Sequence, residues 1–455
     1  MSVPVKAGKP ELTRVLRLWD SVAVIVGIII GSGIFFTPTT VIRQVPHAGM
    51  ALLVWIAGGI AALCGALAYS ELASAWPKTG GTYVYLRECF NPLISFLFGW
   101  ANLWIIRPSA VAGISVIFAN YVAYFVPLHQ TGIKLIAISA ILIVSIINYL
   151  GVRRTSALQN VLTTIKIFSL LFIAVVGLLF FSRHDVPVSL DSWFPETFQW
   201  SYFSAFAAAL VGVYWTYDGW VEITNVAGEV LEPGKTIPRA LIIAALGITL
   251  VYVLVNMSYL HVLSVEGVRA SERVASDAMV RVLGPIGGTI IAVAVIISTF
   301  GALNGTTLTG PRIIFAMAVD GLFFSWARKI NPRYKTPSTA IAMQALLAIP
   351  LVATWTFDQV ATYFVFMSLI FYSLGTLAIF KLRKMKDLPA VSYRTWGYPW
   401  TPLIFLVFAV GVLINTVVTS VEQAGLGLLI LSAGVPVYYV WKRIKERSSR
   451  RYETV

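Results

Sequence analysis

The sequence predicts an all-α polytopic membrane protein, a bundle of about twelve transmembrane helices, and three observations predict it. Of 455 residues, 58% are hydrophobic and 12% charged, and the mean hydropathy of +0.81 lies far outside the soluble range. Apolar stretches of about 20 residues, long enough to cross the hydrocarbon layer as helices, recur along almost the whole chain. Short alternating strands of the barrel type do not. Basic residues gather in the two terminal segments and in alternate connections: 26 of the 34 Lys and Arg fall there, as the positive-inside bias requires if both termini are cytoplasmic. The net charge of +14 then follows from topology, without nucleic acid as a partner.

The predicted spans are 21 to 43, 48 to 76, 92 to 126, 132 to 151, 156 to 182, 201 to 228, 238 to 264, 286 to 318, 337 to 354, 359 to 381, 401 to 420 and 423 to 441. They give a cytoplasmic N-terminal segment (1–20), a single transmembrane domain (21–441) and a cytoplasmic C-terminal tail (442–455) in a multi-pass cell-membrane protein. Within the domain, helices 1–5 occupy 21–182, helices 6–10 occupy 201–381 and helices 11–12 occupy 401–441. The first span follows a charged lead and precedes no small-residue cleavage pattern, so it reads as a retained span and not a signal peptide. No attached soluble domain is expected.

The first span is unusual inside. "GIIIGSGIFFTP" (27–38) places Gly31, Ser32 and Gly33 at mid-span and Pro38 toward its end, and each interior Gly costs roughly 1 kcal/mol against Ala. A second weak helix, "VGVYWTYDGWVEITNVAGE" (211–229), interrupts the sixth span at Thr216, Asp218 and Gly219. Spans 1 to 5 and 6 to 10 start from opposite sides, so the two interrupted helices open halves of opposite topology, the pattern of a transporter with inverted repeats. A span broken this way exposes N–H groups at the start of its outer half and C=O groups at the end of its inner half. The N–H groups around Ser32 and Gly33 suit a carboxylate. Carbonyls near Ile29, Trp215 and Thr216 suit an ammonium, so the pair of breaks fits a zwitterion. "GIIIG" is also a small-xxx-small packing motif, and for the first break alone that explanation competes equally.

Charged residues within spans are Arg107, Lys166, Asp218 and Glu222. Such residues are functional candidates, with a buried ion pair or helix-orienting anchor as the competing explanation. Lys166, in "VLTTIKIFSLL", is too deep to reach an interface. The cysteines, Cys64 and Cys89, supply neither a metal cluster nor a disulfide. The four histidines, His47, His129, His184 and His261, have no ligand spacing, so no metal, cofactor or enzymatic site is expected. "VPLHQT", between the third and fourth spans, has no cysteine to link a partner subunit. A channel offers no reason for two mirrored helix breaks, and no ring of like charges is present.

Five segments in order resemble one family. They are "IIGSGIF" (29–35), "YSELASAWPKTGGTYVYL" (69–86), "GVRRTSALQNVLTTIK" (151–166), "YDGW" (217–220) with "EVLEPGKTIPRA" (229–240), and "STFGALNGTTLTGPRIIFAMAVDG" (298–321). Together they resemble the amino acid, polyamine and organocation (APC) transporter superfamily. Within it the likeness is to the L-amino acid transporter (light-subunit-like) family, in a prokaryote-type form. The resemblance implies a LeuT-like 5+5 inverted repeat with broken helices 1 and 6, carrying amino acids by alternating access, often as an antiporter. It implies that Ile29, Gly31, Ser32 and Gly33 meet the substrate backbone, that Trp215 is an aromatic gate, and that Thr216 and Asp218 line the same site. Lys166 matches a helix-5 lysine standing where sodium sits in related carriers, with Ser298 or Thr299 as its partner.

Sodium independence is the favoured reading, since a fixed cation repels a second one. Proton coupling through Lys166 is the runner-up. For substrate, Arg107 resembles a residue of exchangers for acidic amino acids, and Asp218 one of carriers for cationic and neutral ones. Paired with each other they give a neutral pocket; facing different cavities, either could set specificity, and neutral L-amino acids are the favoured substrate. The family's mammalian members carry a cysteine between helices 3 and 4 for a heavy subunit. Its absence here predicts a stand-alone carrier whose partners are the amino acid and the lipid bilayer. A non-transporting amino acid sensor would share the site and is distinguished by flux. The loops "SELASAWPKTGG" and "RKINPRYKTP" are read as cytoplasmic gating loops, with ordinary positive-inside surface as the alternative.

Overall fold

Every regular element among the described residues is a helix; strand-like pairing is limited to one isolated bridge between Leu16 and Val230. The computed structural model describes residues 14–78, 80–150, 152–180, 193–197, 199–331, 333–334, 336–387 and 391–453, without the side chains of 152–160, 180 and 445–453. Most of the 1–20 segment, His184, Thr79 of one expected gating loop, Pro332 and Lys335 of the other, and the tail side chains after 444 lie outside the described residues.

Nine helices among the described residues are long and apolar enough to cross a membrane, and two shorter apolar helices, Leu18–Ile29 and Ser338–Thr354, accompany them. The first predicted span is not one helix. Helix α1 (Leu18–Ile29) stops at the glycine cluster, a 3₁₀ turn covers Gly33–Phe35, and α2 (Thr37–Gln44) restarts with Pro38 in its first turn. Proline fits there because an N–H in the first turn has no intrahelical acceptor anyway. α3 (Ala48–Ala75) follows, then α4 (Thr82–Cys89), where a loop was expected. The third span divides into α5 (Pro92–Ala101), a π-helical turn (Asn102–Ile106) and α6 (Arg107–Val122). Pro108 has no N–H to return to the preceding turn, so the ladder slips beside it, and Arg107 lies at the slip.

α7 (Gln130–Tyr149) and α8 (Val152–Phe180) complete the first half. The sixth span is again two pieces, α9 (Ser201–Tyr217) and the short α10 (Glu222–Asn225). α11 (Pro233–Ala270) has one non-helical residue, Ser264 at φ 66°, where the predicted seventh span ended. α12 (Val274–Leu283) was also expected to be loop. Its buried Val274, Ala275, Ala278 and Met279 form one stripe on a helix too short and too charged to register as a span. α13 (Pro285–Thr309), α14 (Pro311–Val319), α15 (Ser338–Thr354), α16 (Phe357–Leu382), α17 (Trp400–Thr419) and α18 (Val421–Glu453) finish the chain.

α1 packs against α8, α11 and α13, and α11 lies along α3. The broken first helix therefore sits inside the bundle, where non-helical backbone is tolerated because protein groups replace the missing partners. Its entry is pinned as well: the N–H groups of Val15 and Leu16 donate to Glu229 O at 2.8 and 3.0 Å, and Leu231 N–H donates to Leu16 O at 2.8 Å.

Candidate functional site

Ending a helix leaves its last carbonyls without N–H partners, and in a dry interior each costs several kcal/mol unless something else donates. At the end of α1 three side chains from three helices do so. Lys166 Nζ donates to Gly27 O at 2.9 Å, Tyr252 OH to Ile29 O at 3.0 Å, and Ser298 Oγ to Gly31 O at 3.5 Å. Tyr252 OH also lies 3.4 Å from Thr216 O, so one hydroxyl spans both helix breaks. On the other side of the break, the N–H groups of Ser32 and Gly33 make no hydrogen bond among the described residues.

The two breaks touch. A Cβ on Gly33 would overlap the Thr216 side chain. Gly219 has φ +120°, and a Cβ there would lie 2.8 Å from Ile28 Cγ2 and 3.1 Å from Ile29 N. Glycine is required at both places, by close approach at the first and by backbone conformation at the second.

Around these breaks is a cavity with about 490 Å³ of space free of atoms, its open mouth included. The first break lines it with Ile28, Ile29, Gly31, Ser32 and Gly33, and the sixth-span break with Trp215, Asp218 and Glu222. Arg107, Ala110 and Ile114 of α6, Ala302 and Thr306 of α13, and Phe364 of α16 close the rest. Trp215 meets Phe357 and Phe364 edge-on at centroid distances of 5.4 and 5.0 Å, and Phe357 meets Phe36 at 4.8 Å. This aromatic cluster joins α9 and α16 to the turn before α2.

Thr216 is not on the cavity wall. Its hydroxyl lies 2.8 Å from Gly212 O and 2.9 Å from Thr37 Oγ1, so the expectation that its side chain lines the site is corrected. A mid-helix threonine readily back-bonds to the carbonyl one turn earlier, and that is what this one does. Thr299 does the same, lying 2.8 Å from Val295 O and 3.1 Å from Ile296 O. Ser298 instead reaches Gly31 O. Neither hydroxyl is the partner of Lys166 that the resemblance implied; the ammonium takes the carbonyl that the helix break has freed.

Sequence reasoning also left open whether Arg107 pairs with Asp218. Arg107 Nη2 donates instead to Glu222 Oε1 at 2.5 Å, and its Nε to Asn102 Oδ1 at 3.3 Å. Glu222 Oε2 accepts from Asn225 Nδ2 at 3.1 Å, while Asp218 Oδ1 accepts from Tyr372 OH at 2.9 Å. Tyr252, Tyr372 and Asn225 were missed by sequence reasoning, because a tyrosine in an apolar run such as "LVYVLV" carries no signal of what its hydroxyl meets. Glu71, quoted only within a motif, accepts from Arg383 Nε and Nη2 at 2.9 and 2.8 Å and from Thr395 N–H at 2.6 Å. Tyr83 OH donates to Asp320 at 2.9 Å, and Arg87 pairs with the same carboxylate.

The Amino acid permease family profile matches residues 16–438, nearly the whole chain, both helix breaks included. The chain belongs to the amino acid permease family. The permease is 33% identical over 438 residues to the serine/threonine exchanger SteT of Bacillus subtilis (strain 168), covering 95% of this chain and 98% of that protein. It is 33% identical over 379 residues to the human b(0,+)-type amino acid transporter 1, covering 82% of this chain and 77% of that one. To the human large neutral amino acids transporter small subunit 2 it is 31% identical over 440 residues, covering 95% and 81%. The superfamily resemblance read from the five motifs therefore holds, and these relatives are transporters and exchangers. In the permease both cysteines, Cys64 and Cys89, are buried and free.

Proposed function

We propose that this permease is a sodium-independent exchanger of neutral L-amino acids working by alternating access across the cell membrane. One observation carries the reading: the unpaired N–H groups of Ser32 and Gly33 and the carbonyl-rich ends of two touching helix breaks border a single cavity. A carboxylate is favoured at the first and an ammonium at the second. Sodium independence is supported by Lys166, whose buried ammonium already sits on Gly27 O and opposes a second cation nearby. The printed names of two relatives, a serine/threonine exchanger and a large neutral amino acids transporter small subunit, support exchange and neutral substrates. The reading extends to a single transmembrane domain over 21–441, built as two inverted five-helix repeats with both termini cytoplasmic.

The test is counterflow in sodium-free proteoliposomes, with labelled amino acids outside and vesicles either empty or loaded with unlabelled amino acid. Uptake that requires internal amino acid and ignores sodium is the expected result. Uptake into empty vesicles under an imposed proton gradient would replace exchange by proton coupling through Lys166. Ligand binding without flux would make the protein a sensor. One observation favours a second substrate class, cationic amino acids: Asp218 lines the cavity, and its carboxylate is held by the Tyr372 hydroxyl and the Gly219 backbone with no cationic side chain bonded to it among the described residues. Lysine or arginine competing as well as leucine or serine would select it.

A further inference from the structure

The cavity's one guanidinium is already occupied by the protein. Arg107 and Glu222 are 8% and 3% exposed, both line the cavity, and they are joined at 2.5 Å. Each is held by a second partner close by in sequence, Arg107 by Asn102 of the π-helical turn and Glu222 by Asn225 of α10. Asn225 is in turn fixed from outside, its backbone carbonyl accepting from Gly80 N–H at 3.1 Å. A permanently charged planar fork at a cavity wall is the strongest attractor a protein can offer a carboxylate side chain. Here Glu222 takes that place.

We infer that Glu222 determines specificity by masking Arg107, so that substrates with acidic side chains are excluded, and that removing its charge opens the site to them. This rests on the amino acid reading of the cavity. Asp218 adds negative charge to the same wall but leaves the Arg107–Glu222 pair intact, so the two carboxylates make separable predictions.

The experiment compares isosteric ligands that differ only in charge, glutamate with glutamine and aspartate with asparagine, by thermal stabilisation of detergent-purified protein. The readout needs no flux, so failure of the exchange mechanism leaves it standing. The wild type should need at least about tenfold more acid than amide for half-maximal stabilisation, and E222Q should shift that ratio toward the acid by on the order of tenfold or more. D218N should shift it less than E222Q does. Because an unpaired buried charge can prevent folding, R107Q/E222Q is the second variant; with the fork gone, its ratio should stay near that of the wild type. An unchanged ratio in E222Q, an equal shift in D218N, or acid binding gained by the double variant would overturn the inference. If E222Q does not fold, the wild type and double variant decide: exclusion of acids in both upholds masking, and a ratio near unity in the wild type overturns it. Stabilisation by none of the four ligands in the wild type would instead remove the amino acid reading itself.

Discussion

Replacing Lys166 by methionine keeps the length of the side chain and removes its charge and its donors. Two opposed contributions to stability are at stake. The bond from Nζ to Gly27 O is charge-assisted at 2.9 Å, worth about 1.5–3 kcal/mol. Against it stands the desolvation of an ammonium that is 0% exposed and has no carboxylate within ion-pair distance among the described residues; for a buried ion that cost is several kcal/mol. Desolvation outweighs the single bond, but the variant also leaves Gly27 O without a donor in a dry interior, so the terms nearly cancel and Lys166→Met should melt close to the wild-type temperature in detergent. Function should not be spared. Losing about 1.5–3 kcal/mol from whichever state the tie stabilises shifts the balance between states roughly 10- to 150-fold, and sodium-free counterflow should fall by at least tenfold. The two readouts together make the test sharp. Wild-type exchange rates would remove Lys166 from the mechanism, and a large loss of stability with full activity per folded molecule would show that the lysine only supports the fold.

Other substitutions separate the parts of the site. Tyr252→Phe keeps the ring against Trp55 and Tyr217, at centroid distances of 5.7 and 5.2 Å, and should cost about 1 kcal/mol of stability and raise KM; no change in either would make the hydroxyl idle. Gly33→Ala drives a methyl into Thr216 and should destabilise by about 1–3 kcal/mol. Part of that should return in a Gly33→Ala/Thr216→Ala double variant, which removes both Oγ1 and Cγ2 of Thr216 from the path of the new methyl, and simple additivity of the two changes in melting experiments would refute the contact. Leu16→Pro removes the N–H that donates to Glu229 O at 3.0 Å, so limited proteolysis should cut the N-terminal segment faster. An unchanged cleavage rate would mean that the pairing of residues 15–16 with 229–231 holds nothing in place.

How much of this was legible in the sequence depended on the kind of force involved. Hydropathy sets which segments are buried, and the spans it predicts agree to within about two residues with continuous helices such as α3, α7 and α16. Gly31, Ser32, Gly33 and Gly219 marked both breaks because backbone conformation is a local property of residue type. Short elements failed: α4 and α12 are held by burial against neighbours that sequence does not name. Pairings failed for the same reason. Arg107 and Glu222 stand 115 positions apart, and nothing local says which of two carboxylates one turn apart, Asp218 or Glu222, the guanidinium will meet. Lys166 was located by its depth, whereas its acceptor emerged only once the broken helix had left Gly27 O free.

The way α1 ends constrains how it can move. Its three capping groups sit on three different helices, α8, α11 and α13, all packed directly against it. A tilt of α1 with those helices stationary would stretch the bonds from Lys166, Tyr252 and Ser298 together, at a net cost of about 1 kcal/mol each and more for the charged one. That sum is comparable to the few kcal/mol that separate interconverting states of a protein. Opening therefore requires water to replace the caps or a helix to travel with α1. Tyr252 differs from the other two caps, because its one hydroxyl hydrogen, on Ile29 O at 3.0 Å, has Thr216 O within 3.4 Å as a second acceptor and can turn from the first break to the second. Lys166 and Ser298 each hold only the first. The bonds from α8 and α13 can thus exchange one at a time, while the Tyr252 hydroxyl of α11 has an acceptor in either break.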